Sequence, residues 1–297
     1  MQLTATPYRL LKKIRDEQFE EDHIAEYHLA LLTGPHDLQV LVYNPVTRRA
    51  LWMEDYVFPS STSDDDWLSA LQEVFDQHPF LTAGFWKKII AGVKTPSFVQ
   101  TPAALFDDAQ ASQYLQYNAS VRPGEDILYF SQDGHGLVTS FAFPAAIKNW
   151  LLSVYASNHP VFTHQSCSLM EGVLHEARQQ HDNPLYIYVD RFRLHILSAQ
   201  PEGLRYYNQF FINNFSDYIR YIMLVMHTLG MNQQTGKVIL WGYVGKNSPH
   251  YQEFYKYIQS ITYGGRPGFL HFSYLFDEIQ EHQYFDVWNM ARLTLPS

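Results

Sequence analysis

One cysteine, Cys167, is all that the 297-residue chain carries, and a single thiol excludes an intramolecular disulfide framework. Basic residues are scarce too. The 21 Lys and Arg stand against 30 Asp and Glu, a formal charge of −9, which repels phosphate backbones unless cations cluster on one face. No such cluster occurs in the sequence, so nucleic acid is not an expected partner. Long apolar runs are missing as well: the most apolar stretch, Tyr218 to Leu229, is interrupted by Arg220 and His227 and falls short of the roughly 20 residues that cross a bilayer. Direct membrane insertion is not expected. The run from Met1 to Glu20 has basic Lys12, Lys13 and Arg15 without a following apolar signal core. With the lone thiol, this sets the cytoplasm as the expected compartment.

Catalytic signatures are equally sparse. The fourteen histidines form no His-Glu-x-x-His pair, and His159 with His164 or His175 with His181 are the nearest approaches, so no metal site is expected. No Gly-x-Ser-x-Gly elbow supports serine catalysis. Cys167 lies three residues after His164 and reads either as a nucleophile beside its base or as a buried cysteine acting as a small hydrophobe. Of the two, the packed cysteine is the expectation, and no catalytic residue is named.

What the chain does have is apolar area: 46% hydrophobic and 17% charged residues, enough for large cores at a length where domains begin to split. Apolar runs Leu29 to Leu32, Leu38 to Tyr43 and Ala50 to Phe58 are separated by Thr33-Gly34-Pro35-His36-Asp37 and Asn44-Pro45-Val46-Thr47, which predicts a three-strand meander. The cluster Ser60 to Asp66 then supplies N-caps and an acidic first turn to a helix carrying Trp67, Leu68, Leu71, Val74 and Phe75 on one face. A strand through Ile89 to Val93, an extended Ser97 to Gln100, a helix near Asp107 to Tyr117, strands Ile127 to Ser131 and Leu137 to Phe143, and helices near Pro144 to Ala156 and Ser168 to Gln180 complete a first half.

At Leu185 the pattern restarts. Tyr186 to Asp190, Arg193 to Ser198 and Leu204 to Phe211 form a second meander, followed by a cap at Asn213-Asn214 or Ser216 and an amphipathic helix that stops at Gly230. A strand Lys237 to Trp241, a glycine-bearing loop, a helix through Phe254 and Ile258, and a strand near Phe269 to Leu275 follow. The sequence thus reads as an internal repeat, with Thr33 laid on Asp190 at an offset of 190 − 33 = 157. The fold class is α/β with mixed sheets, in two lobes, 1–183 and 184–297. The crowded rings Tyr206-Tyr207, Phe210-Phe211, Tyr218, Tyr221 and Tyr251 to Tyr257 suit an aromatic-rich core or an interaction surface.

Meander, helix, strand, helix and strand, occurring twice, resembles the duplicated ribonuclease-H-like fold of the actin, hexokinase and heat-shock-ATPase superfamily. Three stretches carry a narrower resemblance to a bacterial family of unknown function classed with that superfamily: Val99-Gln100-Thr101-Pro102-Ala103-Ala104-Leu105-Phe106, Asn213-Asn214-Phe215-Ser216-Asp217-Tyr218-Ile219-Arg220-Tyr221 and Glu281-His282-Gln283-Tyr284-Phe285-Asp286. The resemblance implies a phosphate-gripping Asp-x-Gly turn in each lobe, in which the carboxylate organises magnesium and glycine lets backbone N–H groups approach oxygen. Both turns depart from it. Thr33 takes the aspartate position in the first, and Pro35 removes a donor. Asp190 survives in the second, but Arg191-Phe192-Arg193 replaces small residues.

Gly242-Tyr243-Val244-Gly245-Lys246-Asn247-Ser248 follows a strand and precedes a helix, as the superfamily's adenosine-binding loop does. It is either an inherited strand-to-helix turn or a retained nucleotide contact. The resemblance therefore implies a non-catalytic actin-like protein acting through protein partners, without cofactor. The alternative is an ATP-binding switch or small-molecule kinase, with ATP and magnesium held near Asp190, Gly242, Gly245, Lys246 and Ser248. A ribonuclease-H-type nuclease would need clustered carboxylates on the first meander, which Asp37 and Asp55 alone do not supply.

Overall fold

The structure, a computed structural model, describes residues 7–180, 182–191, 193–245 and 249–295. The chain divides into two compact units, 1–168 with 269–276 and 290–297, and 169–268 with 277–289. The lobe limits read from the sequence, 1–183 and 184–297, fall between a helix ending at Ala177 and a strand beginning at Leu185.

In the first unit, β1 (Arg9–Arg15) precedes the meander β2 (His28–Gly34), β3 (Asp37–Asn44) and β4 (Arg49–Val57). Helix α1 (Asp64–Gln77) leads to β5 (Lys88–Val93). Strand β6 (Phe98–Pro102), helix α2 (Ala111–Asn118) and strands β7 (Glu125–Gln132) and β8 (Leu137–Pro144) follow, then α3 (Ala145–Val154) and β9 (Val161–His164). The main sheet has the order β1-β4-β3-β2-β5-β9 and a second, three-stranded sheet the order β6-β8-β7. Strands β2 to β4 pair antiparallel, whereas β2–β5 and β5–β9 are parallel. Both faces of β2 and β3 are buried, so they read as continuous apolar runs rather than alternating ones. Their core holds Leu29, Leu31, Val40, Val42, Trp67, Leu71, Phe75 and Ile89. Ser63 caps α1 in a capping box with Asp66, which satisfies orphan N–H groups of the first turn.

The chain enters the second unit within α4 (Gln165–Ala177). There β10 (Leu185–Val189), β11 (Arg193–Gln200) and β12 (Gly203–Phe211) form the second meander. Helix α5 (Phe215–Thr228), β13 (Val238–Gly242), α6 (Pro249–Tyr257) and β14 (Ile261–Tyr263) follow, and α7 (Phe285–Arg292) begins here and ends in the first unit. The sheet order is β12-β11-β10-β13-β14, with β10–β11 and β11–β12 antiparallel and β10–β13 and β13–β14 parallel. Apart from the added β1 and the three-stranded sheet of the first unit, the main sheet of each unit therefore has one strand order and one set of strand senses, and the repeat is a duplication of topology. The capping device is duplicated as well: the Asp217 carboxylate accepts from the Asn213 and Asn214 backbone at 3.0 and 3.2 Å, as Asp66 does from Thr62 and Ser63 at 3.0 and 3.1 Å.

Two sequence expectations change. No strand runs from Phe269 to Leu275; that stretch makes a single bridge, Arg49 with His271, and a 3-10 turn at Tyr274–Glu278, its apolar side chains Leu270 and Phe276 buried by packing instead. The offset of the repeat also shifts by one. Lys94 N–H bonds Thr33 O at 2.8 Å and Tyr243 N–H bonds Val189 O at 2.8 Å, so Thr33 matches Val189, an offset of 189 − 33 = 156, and Asp190 matches Gly34.

Inside the first unit, His28 Nδ1 lies 3.0 Å from the Tyr43 hydroxyl and 3.1 Å from Thr294 Oγ1. Burial, then the charges of Lys88 and Lys87, hold its imidazole down at about 4. The unfolded chain binds this proton more tightly, so stability should fall on acidification from about pH 6.5 to about 4, by roughly 2 kcal/mol after solvent screening. Denaturant titrations at pH 7 and pH 4 check this, since His28→Gln should flatten that part of the pH dependence.

Candidate functional site

In sheets of this kind a ligand binds outside the carboxyl ends of the parallel strands, which in the first unit is where β2 and β5 end. Gly34 and Asp37 close the β2–β3 hairpin over Pro35 and His36. Thr33 Oγ1 donates to Asp37 O at 3.0 Å and accepts from Trp67 Nε1 at 2.9 Å, so its hydroxyl is occupied in holding the turn to α1. Lys94, directly after β5, places Nζ 2.8 Å from Asp37 Oδ2, with both side chains buried. This pair covers the glycine: a Cβ built on Gly34 would lie 3.1 Å from Asp37 Oδ1 and 3.1 Å from Lys94 Cβ. The one glycine of the turn is thus faced by side chains, not open to an oxyanion.

In the second unit the equivalent strand ends are Val189 and Gly242, which pair across β10 and β13. Asp190 follows Val189 directly, one residue beyond the pair with Gly242, and α6 is the next described element after the loop. Gly245 lies in that loop; Lys246 and Ser248, like Phe192, lie outside the described residues. Asp190 is 5% exposed, and its Oδ1 accepts from the Arg191 backbone at 2.8 Å. The Arg191 guanidinium sits 4.4 Å over the Tyr243 ring, a cation–π contact, and Tyr243 meets Tyr284 edge-on at 5.7 Å. Tyr243 occupies the position that Lys94 has in the first unit. Gly242 has φ of +100°, its N–H bonds His282 O at 2.8 Å, and His282 Nε2 meets Val244 O at 2.8 Å. Burial, then Asp286 and Asp190, push the Tyr188 phenol far upward, so it stays protonated beside these carboxylates.

Among the described residues both turns are faced by side chains of their own unit. One is faced by an ion pair, and the other presents a guanidinium stacked on tyrosine where the superfamily has small residues. No group of three or more His, Cys, Asp or Glu able to hold a metal comes together among the described residues, and His181 lies outside them.

Cys167 is fully buried. Burial pushes its thiol up, against the smaller opposing effect of the neighbouring Thr139, Thr163, His164 backbone and Ser166. The His164 ring is tied at both nitrogens: Nδ1 accepts from Ser166 N–H at 3.1 Å, so Nε2 carries the proton toward Thr95 O at 2.9 Å. A raised thiol and an engaged imidazole make the packed cysteine the better reading. Rings of the second unit serve mainly as core, with Trp241 stacked on Phe285 at 4.1 Å and Phe210 on Tyr221 at 4.4 Å, while Phe211, Tyr255 and Tyr257 are exposed. No helix among the described residues is long and apolar enough to cross a membrane.

By sequence, none of the curated proteins matches the chain. By structure, it is similar to a Bacteroides thetaiotaomicron protein with an actin-like ATPase fold and unknown function, at 20% identity and a TM-score of 0.78 over 94% of this chain and 100% of that one. It is also similar to a chain of the PilM-PilN type IV pilus biogenesis complex, at 9% identity and a TM-score of 0.59 over 91% and 99%. These likenesses and the duplicated strand order establish the actin-like ATPase fold. The family model for the protein of unknown function DUF3822 matches residues 16–261, and the chain belongs to that family.

Proposed function

We propose that this chain is a non-catalytic actin-like protein that works in the cytoplasm by holding protein partners. The observation that carries this reading is the occupation of both turns by their own side chains, Asp37 with Lys94 over Gly34 and Arg191 over Tyr243, in a fold otherwise retained. The likeness to a protein solved within the PilM-PilN assembly supports a holding role. No cofactor is required by it. Purified protein should show no magnesium-dependent ATP turnover, followed as released phosphate; turnover that disappears in Asp190→Ala would overturn the reading.

One observation favours a second reading, an ATP-binding switch or small-molecule kinase. Asp190 directly follows Val189, which pairs with Gly242 at the adjacent strand end, and the next described element is α6, whose N-terminus would receive an anion. That reading requires saturable nucleotide binding that is lost on Gly245→Arg.

A further inference from the structure

A groove of about 390 Å³ lies on the outer face of the three-stranded sheet, lined by Phe106, Asp107, Asp108, Tyr129, Ser131 and Val138. Its floor follows from strand register. Ser131 pairs with Val138 across β7 and β8, and Tyr129 is two residues along, so the three side chains share a face. Its wall is fixed by α2: Phe106 stacks on Tyr114 at 5.6 Å and meets Tyr129 at 5.1 Å, while the Tyr114 hydroxyl donates to Leu105 O at 2.9 Å. Asp107 accepts from Ala109 N–H at 3.1 Å and so orients the acidic rim.

The groove is apolar where it is deep and acidic at its edge. Tyr129 is 47% exposed and neighbouring Leu105 is 71% exposed, so apolar side chains stand open to a partner at the groove. From residue 95 to 148 the chain has Asp107, Asp108, Glu125, Asp126 and Asp133 against Arg122 and Lys148, and Lys148 is paired with Asp126. Arg122 is itself engaged, by Glu125 at 2.7 Å and Asp64 at 3.2 Å. Nucleic acid and anionic lipid are repelled by such a surface, whereas a cation beside an apolar side chain suits it.

We propose that this groove docks a peptide segment of a protein partner in which an aliphatic or aromatic side chain is flanked by Lys or Arg. The apolar side chain seats on Phe106, Tyr129 and Val138, and the cation meets Asp107 and Asp108. The proposal rests on the reading of the protein as one that holds partners, and it assigns that role a place.

The test is to pan a random peptide display library on the full-length protein, synthesise the strongest binder and measure its affinity by fluorescence anisotropy. Asp108→Lys and Tyr129→Ala, both at exposed positions, should each weaken it about tenfold or more, with unchanged melting temperatures as the fold control. Enriched peptides should place Lys or Arg beside Leu, Ile, Phe, Tyr or Trp. No enrichment, enriched peptides without basic residues, or an affinity unchanged in both variants overturns the proposal. A peptide that binds but ignores both variants removes this site and leaves the partner-holding reading standing. Magnesium-dependent ATP turnover by the unmodified protein removes that reading, independently of what the groove binds.

Discussion

Gly242→Ala is expected to lower the stability of the chain by more than about 4 kcal/mol, a large share of the 5–15 kcal/mol that holds a typical domain. Gly242 pairs with Val189 at the ends of β10 and β13, and its φ of +100° is one that a side chain strongly disfavours. The added Cβ would stand 2.0 Å from Val189 O and 2.8 Å from its C and N atoms. Backbone of a central strand cannot step aside as a side-chain end can. Gly124 separates the two effects, since its φ is +86° but nothing lies within 4 Å of a Cβ built there; Gly124→Ala should cost only about 1 kcal/mol. Urea titration of the two variants makes the comparison. Equal, small losses would mean that the β10–β13 contact is not as tight as described.

Asp37→Ala is expected to cost about 3 kcal/mol, because it removes the carboxylate 2.8 Å from an ammonium whose side chain is only 4% exposed, and a buried charge deprived of its counter-ion is expensive. The same argument says that the pair itself stabilises little relative to apolar groups of similar volume. The double variant Asp37→Ala with Lys94→Met should therefore recover much of the loss. A double-mutant cycle by chemical denaturation reads this directly. A coupling below about 0.5 kcal/mol would show that the ion pair does not hold the first turn closed.

The meanders were legible because each turn is written in glycine, proline, asparagine or aspartate between apolar runs, which are buried on both faces in every strand but the half-exposed β12. The caps were legible for a similar reason: Ser63 with Asp66, and Asn214 with Asp217, satisfy helix N–H groups locally and need no tertiary partner. Strand β1 was not. Arg9, Lys12, Lys13 and Arg15 dominate its seven residues and Ile14 is its buried one, so its membership of the sheet comes from pairing with β4 and not from its own pattern. Strands β9 and β14, of four and three residues, are too short for periodicity to register. Helix α7 was also missed, although part of it lay in a stretch that carried the family resemblance.

At the candidate site, Asp190 and the Gly242 loop could be placed at strand ends from the sequence, but the partners that face the turns could not. Lys94 is 57 residues from Asp37, and Tyr243 reaches Arg191 only because β13 lies beside β10. Such partners become visible only once parallel strands are paired. The one-residue slip between Thr33 and Asp190 has the same origin, since alignment by turn chemistry cannot see the inter-strand bonds of Lys94 and Tyr243. Likewise Phe106 belonged to a stretch read for resemblance, while its groove needed the register that sets Ser131 against Val138.

The most direct measurement is a thermal-shift titration of the full chain with ATP and ADP, with and without magnesium. A ligand present at one hundred times its dissociation constant adds about 2.7 kcal/mol to the folded state, readily seen as a raised melting temperature. With its turns occupied by Asp37–Lys94 and Arg191–Tyr243, the protein should show no rise at millimolar nucleotide. A saturable, magnesium-dependent rise that disappears in Asp190→Ala would contradict the account and make the second unit's strand ends a nucleotide site.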